Sequence, residues 1–426
     1  MKRNEWEGRK RFSGRLQKHF CRQAIAVIQD IYPGMPAFQQ FASSLMPLEV
    51  YLGNGGATDE PVIWRPGCEK NGMLTVLGCS GSGKTEALKV IGSQIIQQGI
   101  PLVTIDFHGD LEFEGQNSVI LSGGRSNQVS INPLAFNPSF IDDMGLLGKV
   151  EREVERIDLA VGRLGPKQHI CLRDAMMQVY SANGITDETA SLGGHWMPTL
   201  PQVSQLLRRC AAGESDALAI YPSSTISSCY VRVSRLANCA VFDGGNWVAP
   251  TMMTQYSLRF QCKSLSQSTQ ALVAETILQM LFEEEKAKGP IPVHCKDDSE
   301  RFRLFVMVDE AKILTQSKQD VNRSDHIVNV IATEGRKYGI GLIVASQMSD
   351  HYGYELKANA SASLTMLCMG EREAKLNAQT LGISSSLLKE KAPVGSAYFS
   401  SAVSRQPIAV CLDQLPCRSP QKRIAE

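Results

Sequence analysis

The residues most able to do chemistry begin at Gly78-Cys79-Ser80-Gly81-Ser82-Gly83-Lys84-Thr85, where the apolar run Met73–Leu77 opens into a glycine-rich loop and a basic residue. Every fixed position of the pattern G-x-x-x-x-G-K-[ST] is filled. Glycines at this spacing let successive backbone N–H groups converge on a polyphosphate, and the helix that follows adds the positive end of its dipole. Lys84 would reach the β- and γ-phosphates, the Thr85 hydroxyl would ligate Mg²⁺, and Glu86 completes the nucleotide-binding set. Cys79 inside the loop is expected as a neutral thiol, since a thiolate would repel phosphate. The same letters could form a plain Gly/Ser turn. The context favours a nucleotide, because Glu86–Gln98 places Leu88, Ile91 and Ile95 on one helical face before Gly99 and Pro101 stop it.

A second group of candidates follows a second buried strand. Leu304-Phe-Val-Met-Val308 leads directly into Asp309 and Glu310. Asp309 at the strand tip would hold Mg²⁺ through its water shell, and Glu310 could polarise the water that attacks a γ-phosphate. Acids after an apolar strand are common, so it is the pairing with the phosphate loop that makes this motif specific. The adjacent glutamate marks an ATPase of the additional-strand type, and no Asn-Lys-x-Asp motif for reading guanine is present. Leu102–Asp110 is another apolar strand with polar residues at its end, placing Asp106, His108 and Asp110 at the mouth of a site if the sheet is parallel. His108 reads equally well as a loop histidine with no chemical role. Thr333–Gln347 ends a helix, turns on Gly339 and Gly341 and launches a strand tipped by Gln347. In an additional-strand ATPase that strand lies between the phosphate-loop and acidic strands. Taken singly, Gln347 reads as a capped strand end and Arg336 as a solvated cation suited to a helix C-terminus.

The elements that must position these residues set the scale. The chain has 426 residues, 43% hydrophobic and 20% charged, enough for one large domain with insertions or two to three smaller ones. A net charge of +1 excludes a uniformly basic nucleic-acid coat, but not a motor with positive charge kept inside a channel. Twelve cysteines without a C-x-x-C pair fit neither a zinc ribbon nor a disulfide scaffold, so reduced thiols in a cytoplasm are expected. No apolar run approaches the roughly 18 residues of a membrane span, so no direct membrane insertion is expected. Residues 1–47 read as a basic tail followed by a helix over Leu16–Tyr32. Leu48–Leu52 and Pro61–Trp64 read as strands joined by the turn Gly53–Gly56. The ATPase core is expected in two parts, 48–140 and 291–415, around a mainly helical insertion at 141–290, with a tail at 416–426. Within the insertion, Leu147, Val150, Val154, Ile157, Val161 and Leu164 follow helical spacing with Glu151, Arg152, Glu155 and Arg156 opposite. Further helices are expected at Lys167–Ala182, Pro201–Cys210, Ser227–Ala240 and Ser266–Lys288, with Glu283–Glu285 as a solvated helix end. Thr251–Cys262 alternates as a strand returning to the sheet.

Taken in order, GCSGSGKT, IDFHGD, INPLAF at Ile131–Phe136, VMVDEA and EGRKYGIGLIVASQ resemble the HerA–FtsK superfamily of P-loop ATPases. More narrowly, the set resembles the HerA and the conjugation or type IV secretion ATPases of the TraG/TraD and VirB kinds. The lead-in Tyr51–Gly53 with Pro61–Trp64, and Gly395–Phe399, fit as well, so the resemblance covers about residues 48–412. It implies an α/β fold, a RecA-like P-loop NTPase core of the additional-strand, catalytic-glutamate type with an all-α insertion. It further implies ATP and Mg²⁺ as cofactors and a homo-hexameric ring that pulls DNA or energises a secretion channel. Lys84 and Thr85 match the phosphate-loop positions, Asp309 the metal carboxylate, Glu310 the catalytic glutamate and Gln347 the sensor. Arg336 lies where conjugative coupling members carry an arginine that reaches a neighbouring subunit's nucleotide. Residues 1–47 hold neither the membrane helices of coupling proteins nor room for the β-barrel of HerA helicases, so a pared-down motor is expected, cytoplasmic and recruited to the inner membrane by secretion-channel or other membrane partners. DNA transfer is the first expectation, a protein-moving secretion ATPase the second, and a regulatory ring paired with a nuclease the third. Lys318 and Arg323 are candidate DNA contacts, or simply a solvated loop.

Overall fold

The structure is a computed structural model that describes residues 47–56, 59–124, 129–138, 145–190, 196–245, 248–292, 298–314, 323–367, 369–389, 393–404 and 406–412. The basic tail, the helix expected at Leu16–Tyr32, Lys318 and the C-terminal tail lie outside these residues. The described chain divides into two compact units. One holds residues up to 119 together with 254–263 and those from 288 onward; the other holds 120–253 and 264–287. The described residues between 120 and 138, read in the sequence with the core, group with the second unit.

Eleven strands make one sheet in the first unit. They are β1 (Val50–Gly55), β2 (Pro61–Trp64), β3 (Met73–Leu77), β4 (Leu102–Asp106), β5 (Asn117–Ile120), β6 (Leu258–Gln261), β7 (Leu304–Val308), β8 (Ile340–Ser346), β9 (Ala362–Met366), β10 (Ser396–Ser401) and β11 (Ile408–Cys411). Their spatial order is β2-β1-β11-β10-β9-β3-β8-β7-β4-β6-β5. From β9 through β3, β8, β7 and β4 to β6 every pairing is parallel, and β9, β10, β11, β1 and β2 continue it antiparallel. The central strands β3, β4, β7 and β8 are buried at every position, which is why they read as unbroken apolar runs and not as alternating ones. Because side chains alternate along a strand, β8 sends Ile343 and Ala345 to a core shared with Ala87, Leu88, Ile91 and Ile95 of helix α1 (Lys84–Gln97). Val344 faces the opposite layer, among Ala311, Leu314 and Leu356.

Two sequence readings in this unit shift. Gly53, Asn54 and Gly55 belong to β1 itself, with a break of register between Tyr51 and Gly53, so the expected turn starts later. Of Thr251–Cys262 only β6 is extended, and Pro250–Met253 is a helical turn. Gly341 shows how tightly β8 is seated: a Cβ there would lie 2.2 Å from the Phe305 ring of the neighbouring strand. That ring is fixed by Phe302 at 5.0 Å and by Trp64, edge-on at 6.1 Å, and cannot yield.

The second unit packs helices α2 (Gly145–Ala160), α3 (Pro166–Ala182), α4 (Leu200–Ala211), α5 (Ser223–Ala237) and α6 (Gln267–Ala287). Start signals are plain in the letters. Pro166 opens α3, and Thr199 with Gln202 forms a capping box at α4, where Gln202 Oε1 accepts from Thr199 N at 2.9 Å. Ile131–Phe136 is a buried connection in which Asn132 accepts from Leu134 N at 3.1 Å and donates to Pro198 O at 2.9 Å. On α2, Leu146 is buried in place of the expected Leu147, and charged side chains accompany the apolar stripe inward.

The expected solvated end at Glu283–Glu285 is the reverse of what the structure holds. Glu283 is 2% exposed and Glu285 is fully buried. Lys149 Nζ lies 2.9 Å from Glu153 Oε1 and 3.2 Å from Glu283 Oε1, Arg156 pairs with Glu153, and Gln279 donates to Glu283 at 2.8 Å. Burial pushes the Glu153 carboxyl up, and the charges of Arg156 and Lys149 outweigh it and hold it below the ordinary range. Such a network is stable only while complete, because each charge has lost its water. Lys149→Met is therefore expected to lower unfolding free energy by about 3–5 kcal/mol, read from the urea midpoint, the range found on breaking buried ion pairs. A loss below about 1 kcal/mol, the range of exposed pairs, would show the cluster to be hydrated.

Candidate nucleotide-hydrolysis site

All residues of the site lie in the sheet unit, at the C-terminal ends of β3, β4, β7 and β8. The loop after β3 is shaped by its own side chains. Ser82 Oγ donates to Cys79 O at 2.8 Å, and Gly78 N donates to Ser346 O at 3.2 Å, tying the loop to the tip of β8. Gly83 caps α1 at φ +101°, and a Cβ there would meet Gly395 N at 3.1 Å, so this glycine is required both by its dihedral and by the turn behind it. Gly395 N in turn donates to Ser82 O at 3.1 Å. The helix starts at Lys84, two residues before the expected Glu86. Lys84 Nζ donates to the carbonyls of Gly78 at 2.6 Å and Cys79 at 2.9 Å. Burial lowers its proton affinity, with the charge of Glu310 acting against that. Ser80, Gly81 and Glu86 are exposed, and Glu86 pairs with Lys89 at 3.1 Å.

The second wall is the pair after β7. Asp309 is 9% exposed and accepts from Phe107 N at 3.1 and 3.2 Å, His108 N at 3.4 Å and His108 Nδ1 at 3.0 Å. Burial pushes its carboxyl up to about 6, while the hydrogen bond and charge of His108 lower it. The same hydrogen bond raises His108. The imidazole of His108, whose role the sequence left open, is thus tied to Asp309. Glu310, 5% exposed, accepts from Ser346 Oγ at 3.2 Å through Oε1 and from Gln347 Nε2 at 3.1 Å through Oε2. Strand β8 lies between β3 and β7, which is what brings Gln347 to Glu310.

Two residues escaped the sequence reading. Arg259 on β6 donates from Nε to Asp106 Oδ2 at 2.8 Å, and both are buried. Asp106 also accepts from Gly109 N at 2.6 Å and Leu111 N at 3.2 Å, so this pair folds the loop that presents His108 and Asp110. His351 lies 2.7 Å from Ser346 Oγ and 3.8 Å from Glu310 Oε1. An arginine in a four-residue strand and a histidine in a loop carry no spacing signal that would have found them. Arg336, by contrast, is exposed on the single turn Gly335–Tyr338, and among the described residues its side chain makes no hydrogen bond or ion pair. Arg323 pairs with Asp325 at 2.6 Å and 3.0 Å.

Oxygen donors suited to a divalent cation cluster beside the phosphate loop. Thr85 Oγ1 lies 3.4 Å from Asp110 Oδ2, and oxygens of Asp106, Asp110 and Asp309 lie within 4.8 Å of one another. An all-oxygen set beside a phosphate loop fits Mg²⁺. Asp106 is fully buried and committed to Arg259 and to its own loop; Thr85, Asp110 and Asp309, the last also held by Phe107 and His108, are the fitting donors. Lys84→Ala is expected to remove at least about tenfold in affinity for a fluorescent ATP analogue, the scale of one charge-assisted contact of about 1.5–3 kcal/mol. Unchanged affinity would take the loop out of phosphate binding.

No family model matches the chain. A curated relative, the DNA double-strand break repair helicase HerA of Saccharolobus solfataricus, is 21% identical over 279 residues, 64% of this chain and 50% of its own length. The chain thus spans about half the length of the curated relative it matches. Among solved structures, VirB4 of Thermoanaerobacter pseudethanolicus superposes with a TM-score of 0.66 at 20% identity, covering 89% of this chain and 99% of that one. The bacterial conjugative coupling protein TrwB, without its first 70 residues, superposes with a TM-score of 0.56 at 14% identity, covering 91% and 97%. TrwB is also similar in its complex with a non-hydrolysable ATP analogue, with a TM-score of 0.55. The sheet is accordingly that of a RecA-like P-loop ATPase, and by sequence and by fold the chain resembles the HerA–FtsK superfamily, with the conjugative and type IV secretion ATPases among its structural neighbours.

Proposed function

We propose that the chain is an ATP-hydrolysing motor that works as a homo-hexameric ring and translocates DNA. The observation that carries hydrolysis is the arrangement after β7, where Glu310 is held by Gln347 and Ser346 on one side while Asp309 is held by the 107–108 loop on the other. Two adjacent carboxylates with separate partners suit separate tasks. In this reading the loop amides from Gly81 to Thr85 receive the phosphates, and Lys84 exchanges its two carbonyl partners for the β- and γ-phosphates. Glu310 takes a proton from the attacking water as its oxygen bonds to the γ-phosphorus and the bond to the β–γ bridging oxygen breaks. Gln347 keeps the Glu310 carboxylate turned toward that water. Mg²⁺, held by Thr85, Asp309 and Asp110, supplies neutralisation of phosphate charge when bound. Arg336, exposed and uncommitted, is the group for a neighbouring subunit's nucleotide, where a guanidinium stabilises charge on the transferring phosphoryl group.

DNA as the track draws its support from the sequence similarity to a DNA repair helicase and the likeness to a conjugative coupling protein. The alternative, a VirB-type secretion ATPase that moves protein, draws its support from the likeness to nearly the whole described VirB4 chain. No helix among the described residues is long and apolar enough to cross a membrane. Turnover with and without duplex DNA separates the two. The first reading expects stimulation that fades as salt rises, since contacts to phosphates release counterions; no stimulation and no retention on DNA would favour the second. The ring has its own test. Glu310→Gln and Arg336→Ala are each expected to be nearly inactive, and mixing them to recover turnover, because one subunit lends its arginine to the other's intact glutamate. Normal hydrolysis by Arg336→Ala alone would end that part of the proposal.

A further inference from the structure

Glu310 is held from β8 by two side chains, and one of them is itself held. Ser346 Oγ lies 3.2 Å from Glu310 Oε1 and 2.7 Å from His351 Nδ1, and it accepts from Met348 N at 3.4 Å. A hydroxyl has one proton, and an ionised carboxylate can only accept. The proton between Ser346 and Glu310 is therefore the serine's, and His351 Nδ1 carries the hydrogen that Ser346 Oγ accepts; the tautomer follows from the network. Burial lowers the proton affinity of His351, and although Glu310, Glu373 and Asp350 act against it, Lys312 adds to it. The imidazole is then neutral near pH 7, with its N–H on Nδ1.

His351 is fixed from its backbone outward. It ends the single turn Ser349–His351, whose Ser349 donates from N and Oγ to Glu373 Oε2 at 3.0 and 3.1 Å. Arg372 holds Asp350 at 2.8 Å. The next residue, Tyr352, is buried with its hydroxyl within 3.0 Å of Val76 O and 2.9 Å of Val344 O, so β3 and β8 together anchor the turn. The residue borders a small cavity also lined by Ala311, Leu314, Val344 and Leu356, and its side chain is 17% exposed.

We propose that His351 is a positioning residue for Glu310, acting through Ser346 so that one oxygen of the carboxylate stays fixed while the other is aimed by Gln347. The inference rests on the hydrolytic role proposed for Glu310. A carboxylate gripped on both oxygens cannot swing, and a general base acts only within hydrogen-bond reach of the proton it takes.

The test is steady-state ATP turnover of the full chain, with Tm and nucleotide affinity recorded for each variant. Ser346→Ala and His351→Leu are each expected to lower kcat about tenfold or more, the scale of a misaligned catalytic group, with KM and affinity nearly unchanged. The double variant should be no slower than the slower single, because both changes cut one chain of hydrogen bonds. His351→Asn, whose side-chain amide can place an N–H where Nδ1 stood, should recover most of kcat. Full kcat in His351→Leu, a loss confined to KM, no recovery by His351→Asn, or losses that multiply in the double variant would each overturn the proposal. Should His351→Leu not fold, equal kcat in Ser346→Ala and Ser346→Ala/His351→Asn supports it and a further loss overturns it. Wild type and Glu310→Gln run alongside: near-normal turnover in Glu310→Gln removes the proposed base itself, whereas an inactive Glu310→Gln with an unaffected His351→Leu removes this inference alone.

Discussion

Two carboxylates side by side at the end of a buried strand form an arrangement that the rest of the sheet unit must satisfy. Asp309 and Glu310 are both nearly excluded from water; among the described residues the imidazole of His108 lies 3.0 Å from Asp309 and that of His351 3.8 Å from Glu310. Buried carboxylates left without donors would lose their charge or unfold the site. The structure supplies donors from opposite sides. Amides of the β4 loop serve Asp309, and side chains at the tip of β8 serve Glu310. The strand order follows as a requirement, since β7 must lie between β4 and β8 for both sets to reach it.

The β4 loop can present its amides only because something folds it. Asp106 does so by accepting from Gly109 and Leu111 in the manner of a turn, and Arg259 compensates the charge that this buries. Arg259 comes from β6, more than a hundred residues later in the chain. The mainly helical segment that precedes β6 in sequence thus returns the chain to the sheet at a strand whose one buried arginine shapes the site. On the other side β3 and β8 are joined where Gly78 N meets Ser346 O, so the phosphate loop and the strand that holds the glutamate are built on one hydrogen-bonded edge.

This geometry divides what was legible in the letters from what was not. Lys84, Thr85, Asp309 and Glu310 announce themselves because fixed spacing on a strand–loop–helix or at a strand end is a local property. Gln347 was legible as a strand tip, and its partner only through the expected strand order. Arg259, Ser346 and His351 act through partners between 5 and 153 residues away, and nothing in local periodicity distinguishes them from neighbours of like character. The helical unit makes the same point by a failed reading. Three consecutive glutamates ending a helix look solvated, since buried acids are rare. Lys149 on another helix, with Arg156 two turns further on, overrides that expectation, and no pattern within α6 could reveal it.

The exposed position of Arg336 has a physical logic within the same frame. Inside the chain the carboxylates already have the donors they need, and a guanidinium placed against Glu310 would pair with it and pull it away from a water. Keeping that cation outside the pocket, at the end of a short helix, leaves the glutamate hydrogen-bonded to neutral groups: a hydroxyl, an amide and, one step back, an imidazole. Neutral donors fix direction without stabilising the carboxylate so strongly that it ceases to accept a proton. On the proposed reading, the positive charge that the transferring phosphoryl group requires then arrives from a second copy, so that the base is prepared by the subunit and the charge stabilisation by the assembly.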